Sequence, residues 1–224
     1  MSNNQNTGLH SKIENEKVEE KGIKLHLGCG ENILPDFLNC DIQEYPGVGK
    51  VMDCSDLSSF KENSIESIFN SAFFEHLWLN QQLPFLNGCH RVLKDDGVLI
   101  MLGVPDFEQI ARCYLEKSPI LSPYEGIFDL YCAYRLTHGD CESSDDVSIP
   151  QMHKTIFDKG SLKKLFELTK FKHFKVFSYT FSGEQQPLAL GVIARKDRDF
   201  KPDEPKTILK RFSYIFDNLD SVII

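Results

Sequence analysis

Two glycines and two aspartates in the first quarter of the chain are residue types suited to holding a nucleoside. The stretch KLHLGCGENILPDFLNCDI, residues 24–42, has Gly28 and Gly30 directly after an apolar run and Asp41 shortly afterwards. Glycine lets the backbone approach a ligand closely, and a carboxylate can accept hydrogen bonds from both hydroxyls of a ribose. Asp53 ends the next apolar segment, where a heterocycle attached to that ribose would lie. This spacing predicts an adenosine site.

The glycine pattern distinguishes between adenosine cofactors. A dinucleotide fingerprint needs a third glycine and an acid about 20 residues further on. Here Ile33 occupies the third glycine position, and 10 residues separate Gly30 from Asp41. The chain also has no lysine-bearing phosphate loop. A cofactor without phosphates, S-adenosylmethionine, fits this pattern better than a nicotinamide dinucleotide or a nucleotide sugar.

Parallel strands would bring these residues to one edge of a sheet, because ligands bind at the carboxyl ends of the strands in open α/β sheets. Apolar runs predict five strands, over residues 23–28, 37–42, 49–54, 64–71 and 98–104. Helices are expected between the later strands, over residues 80–94, 107–115, 123–136 and 159–171. Pro84 is expected in the first turn of its helix, and Asp106 and Asp158 are expected to cap theirs. Alternation of this kind is typical of a parallel α/β sheet.

The last two predicted strands, residues 173–180 and 188–196, break the alternation and favour an antiparallel hairpin at one edge. We therefore divide the chain into a tail with a short helix (1–22), one domain (23–196) and a C-terminal extension (197–224). The extension places Ile208, Phe212, Ile215 and Phe216 on one face of a predicted helix over 207–219. That apolar face would pack on the domain itself, on a second copy of the chain or on another protein.

Composition narrows the classes of function. The formal net charge of -8 disfavours a nucleic-acid surface, which needs a basic face. Mostly apolar surroundings and the absence of a CxxC pair indicate that the seven cysteines are reduced and that no metal framework is present. No segment is long and apolar enough to span a bilayer, and the N-terminus lacks the apolar core of a signal peptide. These features predict a cytoplasmic protein.

The order of these motifs resembles the class I S-adenosylmethionine-dependent methyltransferases over residues 23–196. The likeness is closest to a compact, type 11-like subfamily with LHLGCG, a shortened first crossover and then NxDI. It continues through VMDCSDL, SIESIFNSAFFEHL and HRVLKDDGVLIMLGVPD, and ends with HKTIFDKGSLKKLFELTKF and LALGVIARK. The resemblance implies a Rossmann-like fold with a mostly parallel sheet, and an enzyme that transfers a methyl group from S-adenosylmethionine.

The resemblance also assigns cofactor contacts to single residues. Gly28, Cys29 and Gly30 would pass the methionine moiety. Asp41 would bind the ribose hydroxyls, and Ile42 would lie against the adenine. Asp53 would accept from the adenine amino group and the Cys54 amide would serve the ring, while Asn70 would lie beside the methionine portion and the sulfonium. His26 stands where relatives often carry an acid and is included in this set, although its buried strand favours a hydrogen-bonded core histidine.

Methyl transfer to a hydroxyl or an ammonium also needs a base, and histidine suits neutral pH best. His76, just after the fourth strand, and His153, after an acidic segment, are the two candidates, and Glu75 could orient His76. Many relatives have a histidine at the position of Ala72, so the substrate side of this chain lacks a polar group. We expect residues 106–157 to form a substrate-binding or lid region.

The aromatic residues of that region are expected to build the acceptor pocket: Phe107, Tyr114, Tyr124, Phe128, Tyr131 and Tyr134. Two functions follow from the sequence. The first is methyl transfer to the oxygen or nitrogen of a small-molecule or glycan-linked acceptor. The second is a non-catalytic module that keeps the fold and binds the cofactor without converting it, which Ala72 favours.

Overall fold

The computed structural model of the chain describes residues 22–120, 126–139 and 149–222. Most of the predicted N-terminal tail, together with Tyr124 and most of the acidic segment before His153, lies outside these residues. Within them, no helix is long and apolar enough to cross a membrane.

Seven strands form the main sheet, in the order β3-β2-β1-β4-β5-β9-β8. The first five are β1 (Ile23–Leu27), β2 (Leu38–Asp41), β3 (Lys50–Val51), β4 (Ile65–Ser71) and β5 (Leu93–Pro105). A separate pair consists of β6 (Pro119–Ile120) and β7 (Gly126–Ile127), and the last two strands are β8 (His173–Tyr179) and β9 (Ala189–Arg195). Neighbours from β3 to β5 are parallel, whereas β9 is antiparallel to both β5 and β8. The predicted fold class and the antiparallel hairpin are confirmed.

In the described part of the chain, five α-helices connect or follow these strands: α1 (Leu79–Val92), α2 (Phe107–Glu116), α3 (Leu130–His138), α4 (Lys159–Glu167) and α5 (Glu204–Leu209). Short 3-10 helices cover Phe74–His76, Ile149–Gln151, Lys210–Ile215 and Leu219–Ser221. The Asp158 side chain caps α4 as predicted, because its Oδ1 accepts from the Ser161 amide at 2.6 Å. Asp106 precedes α2, but its carboxylate accepts from the Ser178 hydroxyl instead of capping the helix.

The helix predicted over residues 80–94 was wrong at both ends. Helix α1 begins at Leu79, so Pro84 is its sixth residue and does not lie in the first turn. The Gln81 side chain stabilises the start of the helix at Leu79, because its Oε1 accepts a hydrogen bond from the Trp78 amide at 2.9 Å. The chain is already extended at Leu93, where the prediction continued the helix to residue 94, because β5 begins by pairing with Ile65 of β4.

The C-terminal extension covers one face of the sheet. The predicted single helix over 207–219 is α5 followed by a 3-10 helix, with a break at Phe212, whose φ of -109° and ψ of 23° are not helical. Phe212 stacks on Phe69 of β4 with ring centroids 4.0 Å apart, and it also lies beside Phe37. The extension therefore packs on its own domain, one of the three arrangements that its apolar face allowed.

The opposite face of the sheet is covered by helices that connect successive strands, as is usual in α/β folds. Apolar side chains from α1 and α4, such as Phe85, Leu86 and Phe166, pack with those of the central strands into one large core. The connection from β1 to β2 contains no helix, so the other face lacks a covering at that place. The C-terminal extension fills this gap, and it leaves the carboxyl ends of β1, β2 and β4 open on one edge.

Candidate active site

A cavity of about 340 Å³ lies at the carboxyl ends of β1, β2 and β4. One side, which we call the aspartate wall, contains the predicted residues Gly28, Gly30, Asp41, Ile42, Asp53 and Cys54. The other side, which we call the histidine wall, consists of residues 72–78 after β4 and residues 149–155. Cavity-lining residues of the histidine wall include Ala72, Phe73, His76, Trp78, Gln151 and Lys154.

The glycine turn of the aspartate wall has a backbone that side chains rarely adopt. Gly28 and Gly30 have φ values of +66° and +50°. A Cβ at Gly28 would lie 2.6 Å from Cδ2 of Phe73, whereas a Cβ at Gly30 would meet nothing within 4 Å. Gly28 is therefore needed for the close approach of the two walls, and Gly30 leaves open space on the cavity side. Cys29 between them is buried and does not line the cavity.

The carboxylate of Asp41 accepts hydrogen bonds from two nearby backbone amides. Its Oδ2 accepts from the Gly30 amide at 2.8 Å, and its Oδ1 accepts from the Gln43 amide at 3.0 Å. A carboxylate has about four acceptor sites, so each oxygen retains capacity for a ligand hydroxyl. Ile42 follows with its side chain 56% exposed, beside Tyr45, which also lines the cavity. A polar acceptor and an apolar surface therefore stand next to each other.

Asp53 and Cys54 continue the wall beyond β3. Asp53 is exposed, and its Oδ1 accepts from the Ser55 amide at 2.8 Å. The Cys54 side chain is buried, which raises the pKa of its thiol to about 12. All six cysteines that lie within the described residues are free, and burial raises the thiol pKa of each.

Asn70 is fully buried near the end of β4 and does not line the cavity. Neither its amide nitrogen nor its amide oxygen has a hydrogen-bond partner among the described residues. An unpaired buried polar group costs about 1–3 kcal/mol, so such groups usually mark a bound water, ion or ligand. The position next to Ala72 and Ser71 makes this amide a candidate for contact with a bound molecule.

The structure places His26 outside the cavity. Its ring is 3% exposed and lies 5.0 Å from the Phe69 ring, on the face covered by the C-terminal extension. Its Nδ1 is 3.0 Å from Oδ1 of Asn39, while Nδ2 of Asn39 donates to the carbonyls of Leu34 and Phe37. Burial lowers the pKa of His26. The assignment to the cofactor site is therefore not supported by the geometry, which matches the core histidine expected from a buried strand.

The two candidate bases occupy different places. His76 lines the cavity, and burial lowers its pKa. His153 lies behind it, with the two ring centroids 4.9 Å apart. Its Nε2 is 3.9 Å from Oε1 of Glu75, a carboxyl that is 1% exposed and whose pKa burial raises to about 8. The structure thus brings all three residues together but presents only His76 of them to the cavity.

Ala72 has an unusual backbone for a non-glycine residue, with φ of +49°. Its amide donates to the Leu102 carbonyl at 2.9 Å, which holds the turn against β5. Left-handed backbone of this kind is enriched at functional sites. The strained turn sets the direction in which residues 73–78 leave the sheet.

Several cavity residues were not predicted from the sequence. Trp78 is 56% exposed, and Gln81 at the start of α1 donates to the Ser55 hydroxyl across the cavity floor. Lys154 donates to three carbonyls, those of Ile149, Pro150 and Met152, at 2.6, 3.1 and 3.0 Å. Trp78 is the single tryptophan of the chain and lies two residues after His76, and these two facts could have marked it as a site residue in the sequence. Lys154 gave no comparable signal.

The predicted aromatic pocket is not formed by the residues named for it. Phe128 is buried in a small core with Ile110 and Leu188, and Phe107 faces a different surface depression. The rings of Tyr114, Tyr131 and Tyr134 are exposed away from the cavity lining. These aromatic residues, which recur at helical spacing, either pack between α2 and α3 or lie on the outer surface of the two helices. From residues 106–157, the described part of the cavity lining comes from 149–154.

Comparison with known proteins identifies this arrangement. A family model described as "Methyltransferase domain" matches residues 29–101, about a third of the chain. Over these residues the chain is similar to a methyltransferase domain. The matched residues run from the glycine turn to the middle of β5 and include most of the aspartate wall and residues 72–78 of the histidine wall. The prediction of a methyltransferase that uses S-adenosylmethionine is confirmed at this level, and the roles of single residues stay predictions.

Solved structures support the same fold. The chain is similar to an S-adenosylmethionine-dependent methyltransferase from Archaeoglobus fulgidus, with a TM-score of 0.51 and 15% identity over 78% of this chain and 86% of that one. It is also similar to one from Methanosarcina mazei, with a TM-score of 0.50 and 17% identity over 80% of this chain and 94% of that one. The comparison with curated proteins found no match. At these identities the likeness shows the fold alone.

Proposed function

We propose that the cavity binds S-adenosylmethionine along the aspartate wall and receives a methyl acceptor along the histidine wall. The observation that carries this proposal is the meeting of the glycine turn, Asp41 and Asp53 on one side of one cavity. The acceptor is a small molecule or a glycan-linked group that is methylated on oxygen or nitrogen. The net charge of -8 supports an acceptor other than a nucleic acid.

The residues present fit the cofactor. Asp41 retains acceptor capacity for the ribose hydroxyls, and the exposed face of Ile42 suits the adenine. Asp53 would accept from the adenine amino group, and the Cys54 backbone amide would serve the ring. The open space at Gly30 admits the methionine portion along the Gly28–Gly30 backbone. The unpaired Asn70 amide would complete its hydrogen bonds with that portion or with an intervening water.

The bound cofactor supplies a methyl group on a positively charged sulfur, which is already activated for displacement. The chain's task is then to align the acceptor, since alignment alone can lower a barrier by about 7–11 kcal/mol. The Trp78 face offers a flat apolar surface for a sugar or an aromatic ring, with Nζ of Lys154 6.0 Å from the ring centroid. Of the two predicted bases, His76 is the one that can act on the acceptor directly, and His153 would position it.

His26 has a supporting role in this proposal. It holds the Asn39 amide, which also accepts from the Leu34 amide and so fixes the connection between the glycine turn and β2. This connection determines where Asp41 lies relative to Gly30. The histidine would therefore act on cofactor binding indirectly, without contacting the cofactor.

Calorimetric titration with S-adenosylmethionine and S-adenosylhomocysteine tests the cofactor site. Each charge-assisted hydrogen bond contributes about 1.5–3 kcal/mol, so D41A and D53A should each bind at least ~10-fold more weakly than the unmodified chain. D56A is the matched control, because Asp56 accepts from the Ser58 amide just as Asp53 accepts from Ser55 but does not line the cavity. Equal affinities in all four proteins would contradict the proposed site.

The second function, a non-catalytic module that binds the cofactor, is favoured by one observation. Ala72 lines the cavity where many relatives have a histidine, which removes a polar group from the acceptor side. Production of S-adenosylhomocysteine in the presence of a panel of hydroxylated and amino acceptors distinguishes the two functions. Binding without turnover of any acceptor would favour the module, and turnover abolished by His76→Ala would favour the enzyme.

A further inference from the structure

The cluster behind the histidine wall has the residue types of a metal site. Glu75, His76 and His153 each offer a ligand atom, and these three atoms all lie within 4.8 Å of one another. Glu75 and His76 belong to the 3-10 helix after β4, and His153 follows the 3-10 helix Ile149–Gln151. Backbone hydrogen bonds hold the two segments together, since the Glu75 carbonyl accepts from the amides of Lys154 and Thr155 at 2.9 and 3.3 Å.

A backbone carbonyl lies at hydrogen-bond distance from one ring nitrogen of each histidine. Nδ1 of His76 lies 3.0 Å from the Met152 carbonyl, and Nδ1 of His153 lies 3.1 Å from the Leu136 carbonyl. A carbonyl oxygen only accepts hydrogen bonds, so a ring nitrogen that bonds to it carries the hydrogen, and the other nitrogen of a neutral ring carries a lone pair. Metal-ligating histidines are usually oriented in this way by a backbone carbonyl or a carboxylate.

The carboxylate of the cluster lacks a partner for one of its atoms. Glu75 is 1% exposed, and its Oε2 has no hydrogen-bond partner within the described part of the chain. Its Oε1 points toward Nε2 of His153 at 3.9 Å, which is longer than a hydrogen bond. A cation between the three side chains would satisfy this buried oxygen and be held by one ring nitrogen of each histidine.

We propose that Glu75, His76 and His153 bind one divalent transition-metal cation of the Zn²⁺ type. Two imidazoles and one carboxylate favour zinc, cobalt, nickel or iron over Mg²⁺ and Ca²⁺, which prefer oxygen ligands. Zinc–nitrogen distances of about 2.0–2.1 Å place tetrahedral ligand atoms roughly 3.4 Å apart, so the side chains would draw together on binding. Because His76 also lines the cavity, a cation held by this cluster would lie next to the cavity.

The consequence of such a cation for the reaction rests on the proposed function. An acceptor hydroxyl that coordinates the cation would lose its proton to solvent more easily, because a bound cation lowers the pKa of an oxygen ligand. The O–H bond breaks, the electron pair remains on the acceptor oxygen, and that oxygen becomes the nucleophile. His76 would then hold the cation and would not itself remove the proton. The site therefore favours acceptors with a hydroxyl group over amines.

Titration of the full-length, untagged and chelator-treated chain with Zn²⁺ and Co²⁺ tests the site. We expect one equivalent of each ion to bind, with the visible absorption of low-symmetry Co²⁺, and Mg²⁺ to bind far more weakly. Glu75→Gln, His76→Ala and His153→Ala should each weaken Zn²⁺ binding at least ~10-fold, since even loss of an outer partner of a ligand costs 10–100-fold. Circular dichroism of each variant confirms that it is folded.

H173A is the matched control. His173 lies 3.7 Å from Asp199 on an edge strand, a histidine–carboxylate pair of similar spacing but without a second histidine. Its loss should leave Zn²⁺ affinity unchanged. Absence of Zn²⁺ binding, or binding that none of the three cluster variants weakens, would overturn the metal site. The near-isosteric E75Q keeps the test decisive if an alanine variant does not fold.

A parallel titration with S-adenosylmethionine separates this inference from the proposed function. Zn²⁺ binding by a chain that binds no cofactor would leave the metal site standing and contradict the methyl-transfer proposal. Cofactor binding by a chain that binds no Zn²⁺ would overturn only the metal site, and His76 would return as the group that acts on the acceptor by itself.

Discussion

The aspartate wall and the histidine wall of the same cavity are built in different ways. The first is made from one short segment, because the turn at Gly28, the carboxylate of Asp41 and the end of β3 follow one another within about a tenth of the chain. The second depends on contacts between residues 72–78 and residues 149–155, such as the bond between His76 and the Met152 carbonyl, 76 positions apart. A local wall and a long-range wall should respond differently to substitution.

The largest effect is expected where the aspartate wall receives support from outside its own segment. Phe212 is 1% exposed and stacks on Phe69, in the layer that also contains Phe37 just before β2. F212A should lower the free energy of unfolding by about 3–5 kcal/mol, because a large buried ring is replaced by a cavity. Urea unfolding followed by circular dichroism measures this change.

Tyr214 provides the control on the same 3-10 helix. Its ring is 60% exposed, so Y214A should change the free energy of unfolding by no more than about 0.5 kcal/mol. Similar losses in both variants, or a loss below 1 kcal/mol in F212A, would mean that the extension does not share the core of the domain.

The sequence predicted the aspartate wall because its chemistry follows from local order. Strand, glycine turn, strand and aspartate lie next to each other both in the chain and in the sheet, so parallel pairing alone brings Asp41 to the amide of Gly30. The same reasoning anticipated the sheet and the final antiparallel pair. It could not decide toward which face of the sheet a strand side chain points, as with His26, whose ring lies beside Phe69 and outside the cavity.

The histidine wall could not be assembled from the sequence. His76 and His153 were both selected as histidines near expected connections, but nothing in their spacing indicated that their rings lie 4.9 Å apart. The burial of Glu75 depends on residues 153–155 folding over it, which is a tertiary event. The aromatic periodicity of residues 107–134 was equally compatible with a pocket and with helix packing, and packing is what the structure has.

The next largest effect should come from the point where the two walls touch. G28A would place a Cβ 2.6 Å from the Phe73 ring at a φ of +66°. Left-handed strain and overpacking together should lower the free energy of unfolding by about 2–4 kcal/mol. G30A is the matched control, since φ is +50° there but nothing lies within 4 Å, so we expect the strain alone, about 1–2 kcal/mol. Equal losses in both would show that the contact with Phe73 is not tight.

A smaller effect, confined to the histidine wall, is expected when a side chain that supports this wall is removed. Gln82 of α1 is 1% exposed, and its Nε2 donates to Oγ1 of Thr155 at 2.9 Å and to the Leu77 carbonyl at 3.4 Å. Q82A removes both bonds and leaves the two groups with only the long bond from the Thr155 hydroxyl to the Leu77 carbonyl, so it should lower the free energy of unfolding by about 1–3 kcal/mol. It should also weaken Zn²⁺ binding while S-adenosylmethionine affinity changes less than about 2-fold, because Asp41 and Asp53 do not depend on this link.

The exposed Asn80 on the same helix serves as the control, and N80A should leave both affinities and the stability nearly unchanged. Calorimetry with each ligand measures the two walls separately. A Q82A chain that loses cofactor affinity as strongly as metal affinity would show that the two walls are one cooperative unit.

The smallest effect is expected at Ala72, the strained residue where the histidine wall leaves β4. Alanine at a φ of +49° costs about 1–2 kcal/mol, whereas glycine adopts this backbone freely but loses about 0.5–1 kcal/mol more conformational entropy on folding. A72G should therefore stabilise the chain by roughly 0.5–1 kcal/mol. Ala111 within α2 is the opposite control, because A111G should destabilise by about 1 kcal/mol. Destabilisation by A72G would mean that the alanine methyl group makes a packing contact that outweighs its strain, and that the histidine wall begins with a packed turn and not with a strained one.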